Sequence, residues 1–410
     1  MVSKVPELLA PAGDMEKLRF ALAYGADAVY FAGESYGMRS GAGNFSQAGL
    51  REAVALTHVA GKRALVTVNT MPRGAELDAL PAYLALLDEI GADGIIAADM
   101  GVIPLVKKYA PHAKLTISTQ ANVLNHGAAN AYHALGADRI VLARELTLDE
   151  IAAIRAKTDP SLELEVFIHG SMCMAYSGRC MLSNALTGRD ANRGACAQPC
   201  RWEYELVERQ RRGVYIPVLE DERGTYIFNS KDLCMIDRLN DLLDIGLDSY
   251  KIEGRAKTFY YAAVVTGAYR RALDYAVAHP HAPLPADIAE EVHKVSHREY
   301  GYGFYDGRND LQHREDSSYI RTYDVCAVVE QCDALGHATL SLRNKCAPGE
   351  QAELLSPDEG STPFILEVFY TEEGDELAEA SHPMMRFRTR LPRYAAPFSL
   401  IRKKNQEWIG

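Results

Sequence analysis

The 410-residue chain is 48% hydrophobic and 24% charged, the balance of a water-soluble globular protein with room for two domains. No run approaches the ~18–20 apolar residues of a membrane span. The opening Met-Val-Ser-Lys-Val-Pro-Glu-Leu-Leu-Ala is too short and polar for a signal peptide, so the expected setting is cytoplasmic, with reduced thiols. A net charge of −11 argues against indiscriminate nucleic-acid binding, which is driven by phosphate neutralisation. It leaves room for local basic faces at Arg209–Arg212, Arg386–Arg390 and Arg402–Lys404.

Short apolar runs of strand character recur along the first 255 residues: Glu7–Ala10, Ala28–Ala32, Ala64–Asn69, Gly94–Asp99, Lys114–Thr119, Arg139–Ala143, Leu164–His169 and Ser249–Glu253. Amphipathic stretches of helical length separate most of them, among them Met15–Tyr24, Phe45–Ala60, Leu77–Ile90 and Leu148–Lys157. Near-continuous apolar strands alternating with helices predict a parallel sheet covered on both faces. One punctuation mark recurs before strands: Gly25-Ala-Asp27, Gly91-Ala-Asp93, Gly136-Ala-Asp138 and Gly246-Leu-Asp248. Glycine ends a helix in the left-handed conformation, and aspartate suits the turn that follows.

Eight such units predict a closed (β/α)₈ barrel. A doubly wound sheet is the alternative, but no Gly-x-Gly-x-x-Gly follows the first strand. Barrel active sites sit where strands end. Those ends carry Pro11–Asp14, Gly33-Glu34, Asn69-Thr70, Asp99, Gln120–Asn122, Arg144-Glu145, His169-Gly170 and Lys251-Ile-Glu253-Gly-Arg255, which are polar almost throughout.

The connection between the seventh and eighth strands, residues 171–248, far exceeds an ordinary βα loop. It holds Cys173, Cys180, Cys196, Cys200 and Cys234. Thiolates gathered this way in a reducing compartment hold soft metal. An iron–sulfur cluster asks for four of them, structural zinc is the rival, and buried inert thiols are the plain alternative. Since Cys173 follows directly on the seventh strand, the insertion is expected to roof the barrel mouth. Cys326, Cys332 and Cys346 read as core residues of the later chain.

Residues 1–278 are therefore expected to form the barrel with its Cys-rich insertion, and residues 279–318 a Pro-rich linker with a connecting helix and the aromatic–glycine run Arg298–Tyr305. Residues 319–410 are expected to form a small all-β barrel, with strands at Tyr323–Glu330, Ala338–Arg343 and Phe364–Tyr370.

Glu165-Val-Phe-Ile-His-Gly-Ser-Met-Cys173, with six residues to Cys180-Met-Leu-Ser183, resembles the hallmark of peptidase family U32. So do Leu8-Leu-Ala-Pro-Ala-Gly13, Gly25–Tyr30, Lys251–Arg255 and the terminal β region, so that the likeness spans nearly the whole chain. The family name implies collagenase-like proteolysis. The members of oxygen-independent hydroxylation imply instead a [4Fe-4S] protein that converts wobble uridine of tRNA to 5-hydroxyuridine with prephenate or a related carboxylate. Relatives act on a ribosomal cytidine or a small aromatic ring. Carried over, the resemblance makes Cys173, Cys180, Cys196 and Cys200 the cluster ligands, with Cys234 as an alternative fourth. It also implies tRNA, through its anticodon region, as partner, alongside a small carboxylate co-substrate and a family paralogue.

On the hydroxylase reading, Asn69, Gln120, Arg144, Lys251, Glu253 and Arg255 position base and donor, and His169 caps strand seven or supports the cluster. Tyr30, Tyr36, Phe45 and Tyr176 are candidate stacking platforms, and Arg39, Arg144 and Arg255 candidate anion contacts. A protease instead needs an activated nucleophile, for which His169, Ser171, Cys173 and Ser177 are the nearest group; neither Gly-x-Ser-x-Gly nor His-Glu-x-x-His is present. A non-catalytic module with a buried structural cluster is the third class.

Overall fold

The computed structural model describes residues 5–38, 43–173, 176, 179–202, 219–221, 224–226, 230–307 and 319–405. Its first half is a closed barrel of eight parallel strands: β1 (Glu7–Pro11), β2 (Ala28–Phe31), β3 (Arg63–Val68), β4 (Gly94–Ala97), β5 (Lys114–Ile117), β6 (Arg139–Val141), β7 (Glu163–Ser171) and, after the antiparallel β8 (Asp232–Cys234), β9 (Ser249–Ile252). Closure comes from β9 pairing with both β1 and β7. Helices α1 (Met15–Ala23), α2 (Gln47–Val59), α3 (Gly74–Glu89), α4 (Val102–Tyr109), α5 (His126–Ala134) and α6 (Leu148–Arg155) follow the first six strands. The predicted strands and helices match these within a few residues.

The recurring Gly-x-Asp is a clamp. Gly25, Gly91, Gly136 and Gly246 all have positive φ, between 76° and 95°. Each following aspartate exchanges two hydrogen bonds with one residue of the strand before. Asp27 takes the Leu8 N–H on its carboxylate (3.0 Å) and gives its own N–H to the Leu8 carbonyl (3.0 Å). Asp93 does the same with Ala64, Asp138 with Leu115 and Asp248 with Leu164. The motif therefore joins barrel strands in consecutive pairs, a two-strand unit used four times.

Side chains alternate across the barrel wall. Leu8, Ala10, Val29, Phe31, Val66 and Ile95 face the helices in one large core. Leu9, Ala28, Tyr30, Leu65 and Ile96 form a small cluster inside the barrel. The interior also holds a charged network. Arg139 bonds Glu7 (2.6 Å), Glu163 (2.6 Å) and Glu165 (2.9 Å), Glu165 bonds Lys251 (2.9 Å), and Arg63 pairs with Glu7.

Between β7 and β9 the described residues divide. Residues 179–202, with α7 (Leu182–Thr187), lie over the strand ends. Arg193 pairs with Glu76 after β3, Arg73 with Asp190 (3.7 Å), and Arg179 donates to Asn122 after β5 (3.0 Å). Residues from Ser230 onward do not cover the mouth as expected. β8 runs back antiparallel along β7, and α8 (Leu239–Ile245) returns the chain to the barrel wall.

After β9 comes α9 (Phe259–Ala278); then Tyr300–Gly301 pairs beside β8. Strands from Tyr323–Cys332 to Leu400–Lys404 form an eight-stranded antiparallel sheet around its own core, which includes Cys326 and Cys346 but only the edge of Cys332. The run expected as one strand, Phe364–Tyr370, belongs to two: Gly360–Ile365 and Phe369–Tyr370. Only Glu367 interrupts its hydrophobicity, and Leu366 turns into the core between the two strands.

The β domain is tied to the barrel by Arg402, fully buried between Glu291 (2.9 Å) and Glu353 (2.7 Å). Arg402 and Lys403, the latter on Glu350 (2.9 Å), are thus neutralised and form no basic face. Arg386, Arg388 and Arg390 are exposed on one side of their strand, with Arg386 paired to Glu330 and Glu372. The Arg209–Arg212 run lies outside the described residues. Among the described residues, no helix is long and apolar enough to cross a membrane.

Removing one clamp tests the repeat. Asp138→Ala leaves the Leu115 N–H without its charged acceptor and should lower unfolding free energy by about 1–3 kcal/mol. Urea denaturation with an unchanged m-value checks it.

Candidate active site at the strand ends

A cavity of about 100 Å3 opens at the C-terminal ends of the barrel strands. Tyr30, Thr67, Ile96, Val141, Phe167 and Lys251 form its floor from within the strands. Met38, Asn69, Ser118, Thr119, Gln120, Arg144, Cys173, Glu253 and Arg255 form its rim. Asn69, Gln120, Arg144, Lys251, Glu253 and Arg255, six of the residues proposed from sequence, therefore meet in one place. Cys173 joins them.

The floor is electrostatically fixed from below. The Lys251 ammonium lies 2.9 Å from Glu165 and 4.3 Å from the centre of the Tyr30 ring. Burial alone would raise the Glu165 pKa, but Lys251 and Arg139 outweigh it and hold the carboxylate below its usual range. The Tyr30 hydroxyl donates to the Ile252 carbonyl (3.0 Å) and to Glu253 (3.3 Å).

The rim carries cationic and amide donors. Burial opposes the Arg144 charge, but the Cys173 sulfur and Glu253 beside it raise its pKa. Its Nη1 also donates to the Ser171 carbonyl (3.0 Å), which pins the start of the cysteine segment. Arg255 donates to Thr67 (3.3 Å) and to the Met38 carbonyl. Asn69 accepts from the Met38 N–H (3.2 Å) and donates to Gln120, whose carbonyl oxygen also accepts from Ser118 (3.0 Å).

His169 is not in this cavity. Between Lys251 and Ile252 the β7–β9 register shifts: Lys251 pairs with Phe167, and Ile252 with His169. The extra residue is Ile168, so the bulge puts His169 on the outer side with Ile252 rather than on the inner side with Phe167. There it is buried among Tyr261, Tyr269 and Tyr300, with Nδ1 at 3.3 Å from the Tyr269 hydroxyl. Gly170 follows at φ +116°, where a Cβ would overlap Glu253. Sequence alternation carried across the bulge would have placed His169 in the site. The same alternation, read only as far as Phe167, identifies that ring, which the sequence reading missed.

Other candidates are elsewhere. Tyr36 packs at a tilt against Tyr83 (5.3 Å between ring centres) and donates to the Glu76 carbonyl (3.0 Å); Phe45 packs in the core on Phe31 (5.2 Å). Tyr176 is exposed. Arg39 and Ser177 lie outside the described residues. No histidine lines the cavity, so a Ser/His or Cys/His nucleophile is not assembled there among the described residues.

The cysteine segment sits on the rim. Cys173 is exposed, Cys180, Cys196 and Cys200 are half-buried, and none is in a disulfide. The Cys180 N–H donates to Asn192 (3.2 Å), and the Gln198 N–H donates to the Cys196 sulfur (3.3 Å), an arrangement that suits a thiolate. Four thiols outside any disulfide on one segment, one of them in the cavity wall, are of the chemistry that soft metals prefer. Among the described residues, no three His, Cys, Asp or Glu groups stand at metal-binding spacing. Cys234 lies on the outer side with His169, its thiol 3.8 Å from the Tyr269 hydroxyl and pushed up to about 12 by burial.

Comparison with known proteins agrees with this architecture. The model of peptidase family U32 matches residues 13–315, and that of the U32 C-terminal domain matches residues 321–402. The chain belongs to peptidase family U32. It is 36% identical to tRNA hydroxylation protein P1 of Bacillus subtilis, over 98% of this chain and 96% of the relative. It is 34% identical to tRNA hydroxylation protein P of Escherichia coli, over 91% and 90%. The 23S rRNA 5-hydroxycytidine synthase of Escherichia coli is 40% identical over 65% of this chain and 39% of that protein.

His169 gives a pH test. Burial lowers its pKa to about 3, well below the ~6.5 of an exposed imidazole. The unfolded chain then binds a proton that the folded one refuses, so this contribution to stability is complete above about 6.5 and is lost as pH falls toward 3. His169→Gln should flatten the slope of melting temperature against pH in that window; His293 and His297, which burial shifts the same way, and carboxylates held low by their cationic partners, such as Glu163 and Glu353, supply the rest.

Proposed function

We propose that this U32 protein is an iron–sulfur-dependent RNA hydroxylase that converts a wobble uridine of tRNA to 5-hydroxyuridine. Prephenate or a related carboxylate is the oxygen donor. The observation that carries this reading is that the Cys173 sulfur, Arg144, Arg255 and the Asn69–Gln120 amide pair line one small cavity at the strand ends. The near full-length likeness to tRNA hydroxylation proteins supports the same substrate class.

Cys173, Cys180, Cys196 and Cys200 would hold the cluster, drawing together from their present spacing. Bound there, it supplies a redox or electrophilic centre at the cavity wall. The chain's own residues do the rest. Arg144 and Arg255 offer guanidinium groups to the donor's carboxylate. Lys251, paired with Glu165, forms part of the floor beneath the rim. Tyr30 and Phe167 provide apolar faces for a ring, and the cavity admits a base only when it is unstacked, as anticodon-loop bases are. The exposed Arg386–Arg390 strand offers phosphate contacts, in keeping with modest, salt-sensitive RNA binding by an acidic protein. A peptidase reading has the family name behind it, but no nucleophile–base pair among the described cavity residues.

Deleting the gene together with any family paralogue should abolish 5-hydroxyuridine-derived nucleosides in tRNA; Bacillus subtilis, for comparison, has relatives named both P1 and P2. Wild type should restore them, whereas Cys173→Ala should restore neither them nor the brown chromophore of anaerobically purified protein. Stoichiometric zinc without iron or sulfide would overturn the cluster assignment. Unchanged tRNA after the combined deletion would overturn the substrate.

A further inference from the structure

We infer that Gln120 is the group that distinguishes uridine from cytidine, by donating its side-chain N–H to the O4 carbonyl of the base. This deepens the hydroxylase reading and rests on it. Gln120 is only 5% exposed and lines the cavity. Its orientation follows from an unambiguous donor. The Met38 backbone N–H points at the Asn69 side chain (3.2 Å), so that atom of Asn69 is the oxygen, and the amide nitrogen of Asn69 faces Gln120. The atom of Gln120 that meets it must then be its oxygen, which also accepts from the Ser118 hydroxyl (3.0 Å). Turning the Gln120 amide over would set two N–H donors against each other.

The relay leaves the Gln120 amide nitrogen buried with no acceptor among the described residues. A buried donor without a partner is costly to leave unmet, and this one belongs to a residue in the wall of the cavity at the strand ends. Uracil and cytosine differ at the edge that such a donor reads: uracil presents the O4 acceptor, cytosine the N4 amino donor. The locked amide bonds the first and opposes the second. The cationic groups on the rim, Arg144 and Arg255, are better matched to carboxylate, so the neutral amide is left for the neutral carbonyl.

Two reporter tRNAs test this, one with uridine and one with cytidine at the modified position, expressed in a strain lacking the gene and its paralogues. Wild type, Gln120→Glu and Gln120→Leu are supplied on plasmids, and hydroxylated nucleosides are quantified by mass spectrometry. Wild type should favour the uridine reporter by at least about 100-fold. Gln120→Glu keeps one oxygen for Asn69 and Ser118 and turns an acceptor toward the base. Its cytidine-to-uridine ratio should rise at least about 100-fold, while Gln120→Leu should lose most discrimination at reduced rate. Melting temperatures of the purified variants show that each is folded. A wild-type ratio in Gln120→Glu overturns the proposal. So does an equal loss on both reporters that extra carboxylate donor restores, which would give Gln120 to the donor instead. If wild type modifies neither reporter, the hydroxylase reading falls first and takes this one with it.

Discussion

The centre of the barrel is held by charge. Arg139 bridges Glu7, Glu163 and Glu165, and Glu165 carries the line to Lys251 at the cavity floor. Such a chain is stable only while complete, because removing one partner of a buried pair leaves an uncompensated charge worth about 3–5 kcal/mol. An apolar filling would pack the barrel as well. It would not hold an ammonium beneath the cavity, and this is the feature that couples barrel packing to the chemistry of the site.

Two backbone devices set the geometry above that floor. The glycine–aspartate clamps fix strands in pairs at the N-terminal end, which leaves the C-terminal ends free to carry function. The bulge at Ile168 then breaks alternation once, on β7. It sends His169 outward into a tyrosine-lined pocket, and the chain beyond Gly170 passes Cys173 to the rim. A single extra residue thus separates a buried histidine from a cysteine at the cavity rim four positions later.

The β domain is attached through a second buried guanidinium, Arg402, shared by Glu291 of the barrel side and Glu353 of its own sheet. Tyr24 adds hydrogen bonds to the Phe398 and Leu355 carbonyls. These bonds need both domains in place, so the attachment is specific and not merely apolar. It also explains why Arg402, the first residue of a run that reads as basic surface, is withdrawn from solvent.

Much of this was legible in the residues themselves. Periodicity marked the eight barrel strands, and the repeated Gly-x-Asp marked their spacing, because helix ends and turns are chemically local. Strand-end position brought Asn69, Gln120, Arg144, Lys251, Glu253 and Arg255 together, since closure of a parallel barrel sends all strand ends to one face. The cysteine spacing with the Glu165–Cys173 run pointed to the family. Tertiary structure alone decided the rest. Whether His169 faces in or out depends on a register shift against β9, a partner some eighty residues away. Whether Arg402 is a surface charge depends on Glu291, and which atom of Gln120 meets a ligand depends on Met38 and Asn69. Each is a relation between distant segments, and no local pattern encodes it.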